Sequence, residues 1–211
     1  MKSKGSISRS VITRMPRYYR FLKRLSAEGL DRISSAELAS RMGLTASQVR
    51  QDFNYFGDFG QQGYGYNVTQ LRDEIGKILG IDKQHTLILV GAGNLGKAIF
   101  RHIKFNELGF TLIGVFDSNP DIAVSDTGGI EILDSALLPG FCEREHPDAA
   151  IITVPESAAP EVVAALWQAG VKNYWNFSHY DIDADFPNAT VENVHLNDSL
   201  MTLCYNITDN I

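Results

Sequence analysis

The chain has 211 residues, 44% hydrophobic and 21% charged, with a formal net charge of −6. That is room for one large or two small domains of ordinary globular composition. The absence of any run of 18 apolar residues argues against a membrane span.

The basic start of the chain lacks an apolar segment, so no secretory signal is expected. Cys142 and Cys204 form no metal or redox motif, and a reduced, cytoplasmic protein with no membrane partner is the simplest expectation. Charge is unevenly divided. Residues 1–67 carry 11 Lys/Arg against 5 Asp/Glu, a balance of +6, and the remainder balances to −12. A basic first third on an acidic body points to a polyanion partner for that third. The plainer reading is a solvated helix face.

Pro16 suits the first turn of a helix. Tyr18, Phe21, Leu22 and Leu25 then recur on one helical face. Ser34-Ser35-Ala36-Glu37 fits a capping box, the helix after it buries Leu38, and Gly43 is placed to end it. Thr45, with Gln48 three residues on, starts another helix that turns Val49, Phe53 and Phe56 inward. Two short helices around a Gly-containing turn are the helix-turn-helix pattern, whose second helix lies in the major groove of DNA. Ala46, Ser47, Gln48, Arg50 and Gln51 would be its reading residues, with Arg50 as the one full charge for a guanine edge or a phosphate. A plain helical hairpin is the competing reading. In Phe59–Tyr66, glycines alternate with aromatic residues as in a tight two-stranded ribbon, the place of a wing with Gln61 and Gln62 at its tip. Val68–Leu79 reads as a helix that Gly80 ends.

Leu87–Val90 is a β-like apolar run followed at once by Gly91-Ala92-Gly93-Asn94-Leu95-Gly96 and a helix over Lys97–Ile103. Leu112–Phe116 is a second run, ending in Asp117, 21 residues past Gly96. Strand, GxGxxG turn, helix and a spaced acid together form the dinucleotide-binding pattern. Gly91 permits the turn, Gly93 admits the pyrophosphate, and Gly96 lets helix and strand pack closely. The helix start offers N–H groups to phosphate. Asp117 would accept from the ribose hydroxyls and repel a 2′-phosphate, which favours NAD(H) over NADP(H). Coenzyme A and S-adenosylmethionine compete on the same architecture.

Ala149–Val154 is a further apolar strand that Pro155 stops, Pro160–Ala169 a helix, and Val171–Phe177 another strand. Thr153, Val154 and Pro155 lie where a nicotinamide ring would rest, although Pro155 would also serve simply to end a strand. None of the five histidines sits in a catalytic motif, and no metal-ligand spacing occurs. His179 reads as structural or solvent-facing. No catalytic residue is assigned, which weighs against a small NAD-dependent oxidoreductase. Residues 192–206 place Val194, Leu196, Leu200, Leu203 and Cys204 at helical spacing. So short a helix is marginal alone and must pack on its own domain or on a partner subunit.

Together these residues resemble the Rex family of bacterial redox-sensing transcriptional repressors. The resemblance is most specific in Val49-Arg50-Gln51-Asp52-Phe53-Asn54-Tyr55-Phe56-Gly57-Asp58-Phe59-Gly60 and Gly63-Tyr64-Gly65-Tyr66-Asn67. The glycine loop, Asp117, Val154-Pro155 and Asn176-Phe177 add to it. The resulting fold expectation is α/β: a winged helix-turn-helix domain over 1–80, a Rossmann-like parallel-sheet domain over 81–190, and a C-terminal helix over 191–211. The resemblance implies a homodimer that swaps this last helix. It also implies that NADH closes the dimer and releases double-stranded operator DNA, while NAD+ competes and permits repression. The expected DNA-contacting set is Arg14 and Tyr18 on the first helix, the recognition residues above, and Gln61 and Gln62. The chain departs from the family pattern where Gln51 and Gln61-Gln62 replace basic residues, which should flatten the salt dependence of DNA binding. Lys2, Lys4, Arg9, Arg14 and Arg17 would compensate. His102 and His195 stand where the family often has Tyr and Asp in its switching network, and two histidines there would make switching sensitive to pH.

Overall fold

The computed structural model describes residues 7–56, 60–61, 64–119 and 131–209. The chain divides into two compact units, Met1–Asp82 and Lys83–Ile211.

The first unit opens with α1 (Arg9–Ala27), and Pro16 lies inside it, not at its first turn. An internal proline costs about 3 kcal/mol through its missing hydrogen bond. The buried stripe Val11, Met15, Tyr18, Leu22 and Leu25 runs through the proline on both sides. Each buried aliphatic side chain contributes about 1.5–3 kcal/mol, so the stripe outweighs the break. Strand β1 (Arg32–Ile33) leads to α2 (Ser35–Met42), where the Ser34 hydroxyl accepts from the Glu37 N–H at 3.1 Å. Gly43 ends α2 at φ 65°, in the left-handed conformation expected of it. Helix α3 (Ala46–Asn54) starts under Thr45, whose hydroxyl accepts from the Gln48 N–H at 3.1 Å. Strands β2 (Gly60–Gln61) and β3 (Gly65–Asn67) pair antiparallel, and β1 joins the far edge of β3. Helix α4 (Val68–Leu79) then packs along α1. The result is a helix-turn-helix followed by a β2-β3 ribbon that β1 extends to a three-stranded antiparallel sheet.

The second unit alternates strands and helices: β4 (His85–Val90), α5 (Asn94–His102), β5 (Phe110–Asp117), β6 (Ile132–Asp134), α6 (Leu138–Glu145), β7 (Ala149–Ile152), α7 (Ala159–Gln168) and β8 (Asn173–Asn176). A short α8 (Ile182–Asp185), β9 (Thr190–Asn193) and α9 (Leu196–Asp209) complete it. The strands form one parallel sheet in the order β6-β5-β4-β7-β8-β9. This is the doubly wound dinucleotide-binding order. Side chains of β4 alternate between two cores. Ile88 and Val90 join Phe116, Ile152 and Tyr174 on one face, while Leu87 and Leu89 join Val115 and Ile151 on the other. Both faces are therefore covered, as a parallel sheet requires.

The end of the chain differs from the sequence expectation. Residues 190–193 are an edge strand, with only Val191 buried, and the helix begins at Leu196. A four-residue strand with one apolar anchor gives no alternation to read. Helix α9 has no buried residue. Leu196, Leu200, Met201, Leu203, Tyr205 and Ile207 are each more than half exposed.

Candidate functional site

Helix α3 turns Val49, Asp52 and Phe53 inward and leaves Ser47, Arg50 and Gln51 exposed, with Ala46 and Gln48 half-buried. Its exposed face is thus the one expected to read DNA. Arg50 Nη1 donates to Ser35 Oγ at 3.1 Å, which steadies the guanidinium beside the start of α2. Gln61 lies in strand β2, and Gln62 falls outside the described residues.

One expected DNA contact, Tyr18, is corrected, and Arg14 is placed beside it. Tyr18 is fully buried, so its ring has no surface to offer a duplex. Its hydroxyl donates to Asp52 Oδ2 at 2.9 Å, and burial first, then this hydrogen bond, raises its pKa above the usual tyrosine value. Arg14 turns to the same carboxylate. Its Nε and Nη2 donate to the two Asp52 oxygens at 2.8 and 2.7 Å, and this hydrogen bonding holds its pKa up. Asp52 itself went unassigned in the sequence. Its signal was an acid on the inward helical face between Val49 and Phe53, a place that demands a cation.

At the other site, β4 ends in the glycine turn, and Gly93 immediately precedes α5. Gly91 adopts φ +104°, and a Cβ there would stand 2.8 Å from the Thr153 carbonyl carbon. A Cβ on Gly96 would lie 1.9 Å from the Gly91 oxygen. Gly93 differs: a Cβ there would meet nothing within 4 Å, so its missing side chain leaves open space. Asn94 and Leu95 are exposed in the first turn of α5, and Lys97 is the first residue whose N–H closes on Gly93 O, at 2.9 Å. The N–H groups at the helix start are therefore available to an anion.

Asp117 stands at the end of β5, its carboxylate accepting from Ala92 N–H at 2.6 Å and Asn119 N–H at 2.9 Å. A carboxylate takes about four hydrogen bonds, which leaves acceptor sites for a ribose. Thr153 and Val154 follow β7 half-buried, with Pro155 exposed beyond them. The open Gly93 cradle, the free helix start and the acid one strand away together fit a dinucleotide phosphate and its ribose.

The chain is 46% identical, over all of its own length and 99% of the relative's, to the redox-sensing transcriptional repressor Rex of Clostridium perfringens. It belongs to the Rex family of redox-sensing transcriptional repressors. Rex proteins are repressors and not enzymes, which removes the oxidoreductase reading. The crystal structure of RSP in complex with β-NAD+ and operator DNA superposes with a TM-score of 0.89 at 43% identity, covering 98% of this chain and 94% of that one. RSP in complex with β-NADH gives 0.88 at 40% identity, covering 98% and 96%. Residues 6–54 match a family described as putative DNA-binding protein N-terminus, and residues 82–180 one described as CoA binding domain.

His102 is exposed at the end of α5. His195, just before α9, has its Nδ1 3.6 Å from Asp198 Oδ2 and its ring 5.4 Å from that of His179. Among the described residues no group of His, Cys, Asp and Glu could hold a metal ion, and no helix is long and apolar enough to cross a membrane.

Proposed function

We propose that this chain is a cytoplasmic, homodimeric Rex repressor that grips operator DNA until NADH displaces it. The α3 face of Ala46, Ser47, Gln48, Arg50 and Gln51 reads the major groove, and the wing carrying Gln61 and Gln62 lies on the backbone. The turn Gly91, Ala92, Gly93, Asn94, Leu95 and Gly96 cradles the pyrophosphate, Asp117 accepts from the ribose, and Thr153, Val154 and Pro155 border the nicotinamide. NADH and NAD+ share this cradle. The apolar face of α9 is covered by exchange with a second copy, since a 14-residue helix is marginal unaided.

The observation that carries the reading is one chain holding both an exposed recognition helix and an open glycine cradle backed by an acid. Control follows from linkage. NADH lowers operator affinity only by as much as it prefers the arrangement that does not fit the operator.

A second reading, a coenzyme A sensor, rests on the description of the family matching residues 82–180. Asp117 weighs against it, because the 3′-phosphate on the adenosine ribose of coenzyme A would meet this carboxylate. Titrating the protein with NADH and then with coenzyme A tests the choice. NADH binding that coenzyme A cannot compete away supports the dinucleotide reading, and displacement at similar concentrations contradicts it.

A further inference from the structure

The peptide joining Gly91 to Ala92 is held at both of its polar ends. Its N–H donates to Asp117 Oδ2 at 2.6 Å, from the end of β5. Its carbonyl oxygen accepts from Thr153 Oγ1 at 2.7 Å, from just past β7. In a trans peptide these two groups point in opposite directions, so the two grips act from opposite sides of one plane. The Thr153 hydroxyl has one hydrogen. It lies closer to Gly91 O than to its other acceptor, Val90 O, at 3.0 Å. The Thr153 N–H also donates to Val90 O at 2.9 Å, which seats the residue at the turn.

The gripped oxygen sits at a crowded place, where a Cβ on Gly96 would be only 1.9 Å away. Rotation of this peptide toward α5 would drive its oxygen into the first turn of that helix. The same rotation would move Gly93 and the helix start that follow.

We propose that Thr153 is a positioning residue of the dinucleotide site: whatever its backbone borders, its hydroxyl acts through the Gly91–Ala92 peptide and not on the ligand. This rests on the dinucleotide reading above. Asp117 has a second duty toward the ribose, whereas the Thr153 hydroxyl is spent on the loop. The consequence is that Thr153 sets affinity for every ligand that uses the pyrophosphate cradle, whatever it carries beyond.

The test compares Thr153→Val, which keeps the shape and removes the donor, with Thr153→Ser, which keeps the donor. Binding of NADH and of ADP-ribose, which lacks the nicotinamide, is measured by calorimetry. Loss of one hydrogen bond to the loop predicts that Thr153→Val weakens both by about five- to tenfold, and that Thr153→Ser recovers both to within about twofold. Weakened NADH with unchanged ADP-ribose would mean direct contact with the nicotinamide end and overturns the proposal, as does no change in either. A ligand-free readout stands beside it: hydrogen exchange at the Ala92 amide should quicken in Thr153→Val and not in Thr153→Ser. Unchanged exchange also overturns the proposal. Failure of the unsubstituted protein to bind either ligand, with exchange responding as predicted, would instead contradict the dinucleotide reading and leave the loop grip established.

Discussion

Arg14 of α1 holds Asp52 of α3 through two hydrogen bonds, at 2.8 and 2.7 Å, and so fixes the recognition helix to the long helix behind it. The Asp52 side chain is 2% exposed and that of Arg14 25% exposed, so the pair is asymmetric. Removing Arg14 leaves a buried carboxylate with the neutral Tyr18 hydroxyl but without its cation, whereas Asn at position 52 keeps an oxygen for that hydroxyl and frees a guanidinium that can reach water. Arg14→Met is therefore expected to cost about 3 kcal/mol of stability and Asp52→Asn about half of that. Urea unfolding of each variant checks the order, and an Asp52→Asn cost larger than that of Arg14→Met would refute the asymmetry.

The glycines of the turn separate stability from binding. Gly96→Ala sets a methyl group 1.9 Å from the Gly91 oxygen and should destabilise by about 2 kcal/mol or more. Gly93→Ala meets no atom within 4 Å and has an ordinary φ of −66°, so stability should stay within about 0.5 kcal/mol. Its methyl group would occupy the cradle, and NADH affinity should fall by more than about tenfold. Thermal unfolding alongside NADH titration distinguishes the two. Gly93→Ala protein that binds NADH normally would show that the pyrophosphate lies elsewhere.

The two-unit plan was legible because its signals are local. Ser34, Thr45 and Gly43 each sit where a cap or a left-handed residue is required, and each does that work. The run from Leu87 to Gly96 gives strand, turn and helix in one stretch. Arg14 and Tyr18 read as DNA contacts, and the structure turns both toward one carboxylate. Their partner is 38 and 34 residues away, and nothing in the local pattern shows that pairing. Strands β6 and β9 escaped notice for a different reason. They are short edge strands, and the sheet recruits them through backbone hydrogen bonds to β5 and β8 that no side-chain period records.

Arg50 is the one formal charge on the reading face of α3. Arg50→Ala should lower operator affinity to the level of unrelated DNA while NADH affinity stays unchanged. Loss of both would indicate misfolding. With uncharged Gln51 and Gln61 at the reading helix and wing, the decline of log affinity with log salt should be shallow, and Gln51→Lys should steepen it by about 0.9. Electrophoretic shifts across a salt series measure the slope, and an unchanged slope would place residue 51 away from phosphate.

Helix α9 carries six large apolar side chains more than half exposed on one chain. Coverage by a second copy predicts that the double variant Leu200→Glu, Leu203→Glu sediments as a monomer where the unsubstituted protein is a dimer. Operator affinity should fall with it, since two half-sites are read together. Analytical ultracentrifugation decides this, and a variant that remains dimeric would remove α9 from the interface.

Coupling of the glycine cradle to the recognition helix predicts that a reduced dinucleotide bound at Gly91–Gly96 and Asp117 weakens the hold of Arg50 on DNA. Fluorescence anisotropy of a labelled operator duplex, titrated with protein alone and with NADH, NAD+ or NADPH, tests it most directly. NADH should release the duplex, NAD+ should leave it bound and oppose NADH, and NADPH should have little effect because its 2′-phosphate meets Asp117. Equal operator affinity with and without saturating NADH would contradict the account.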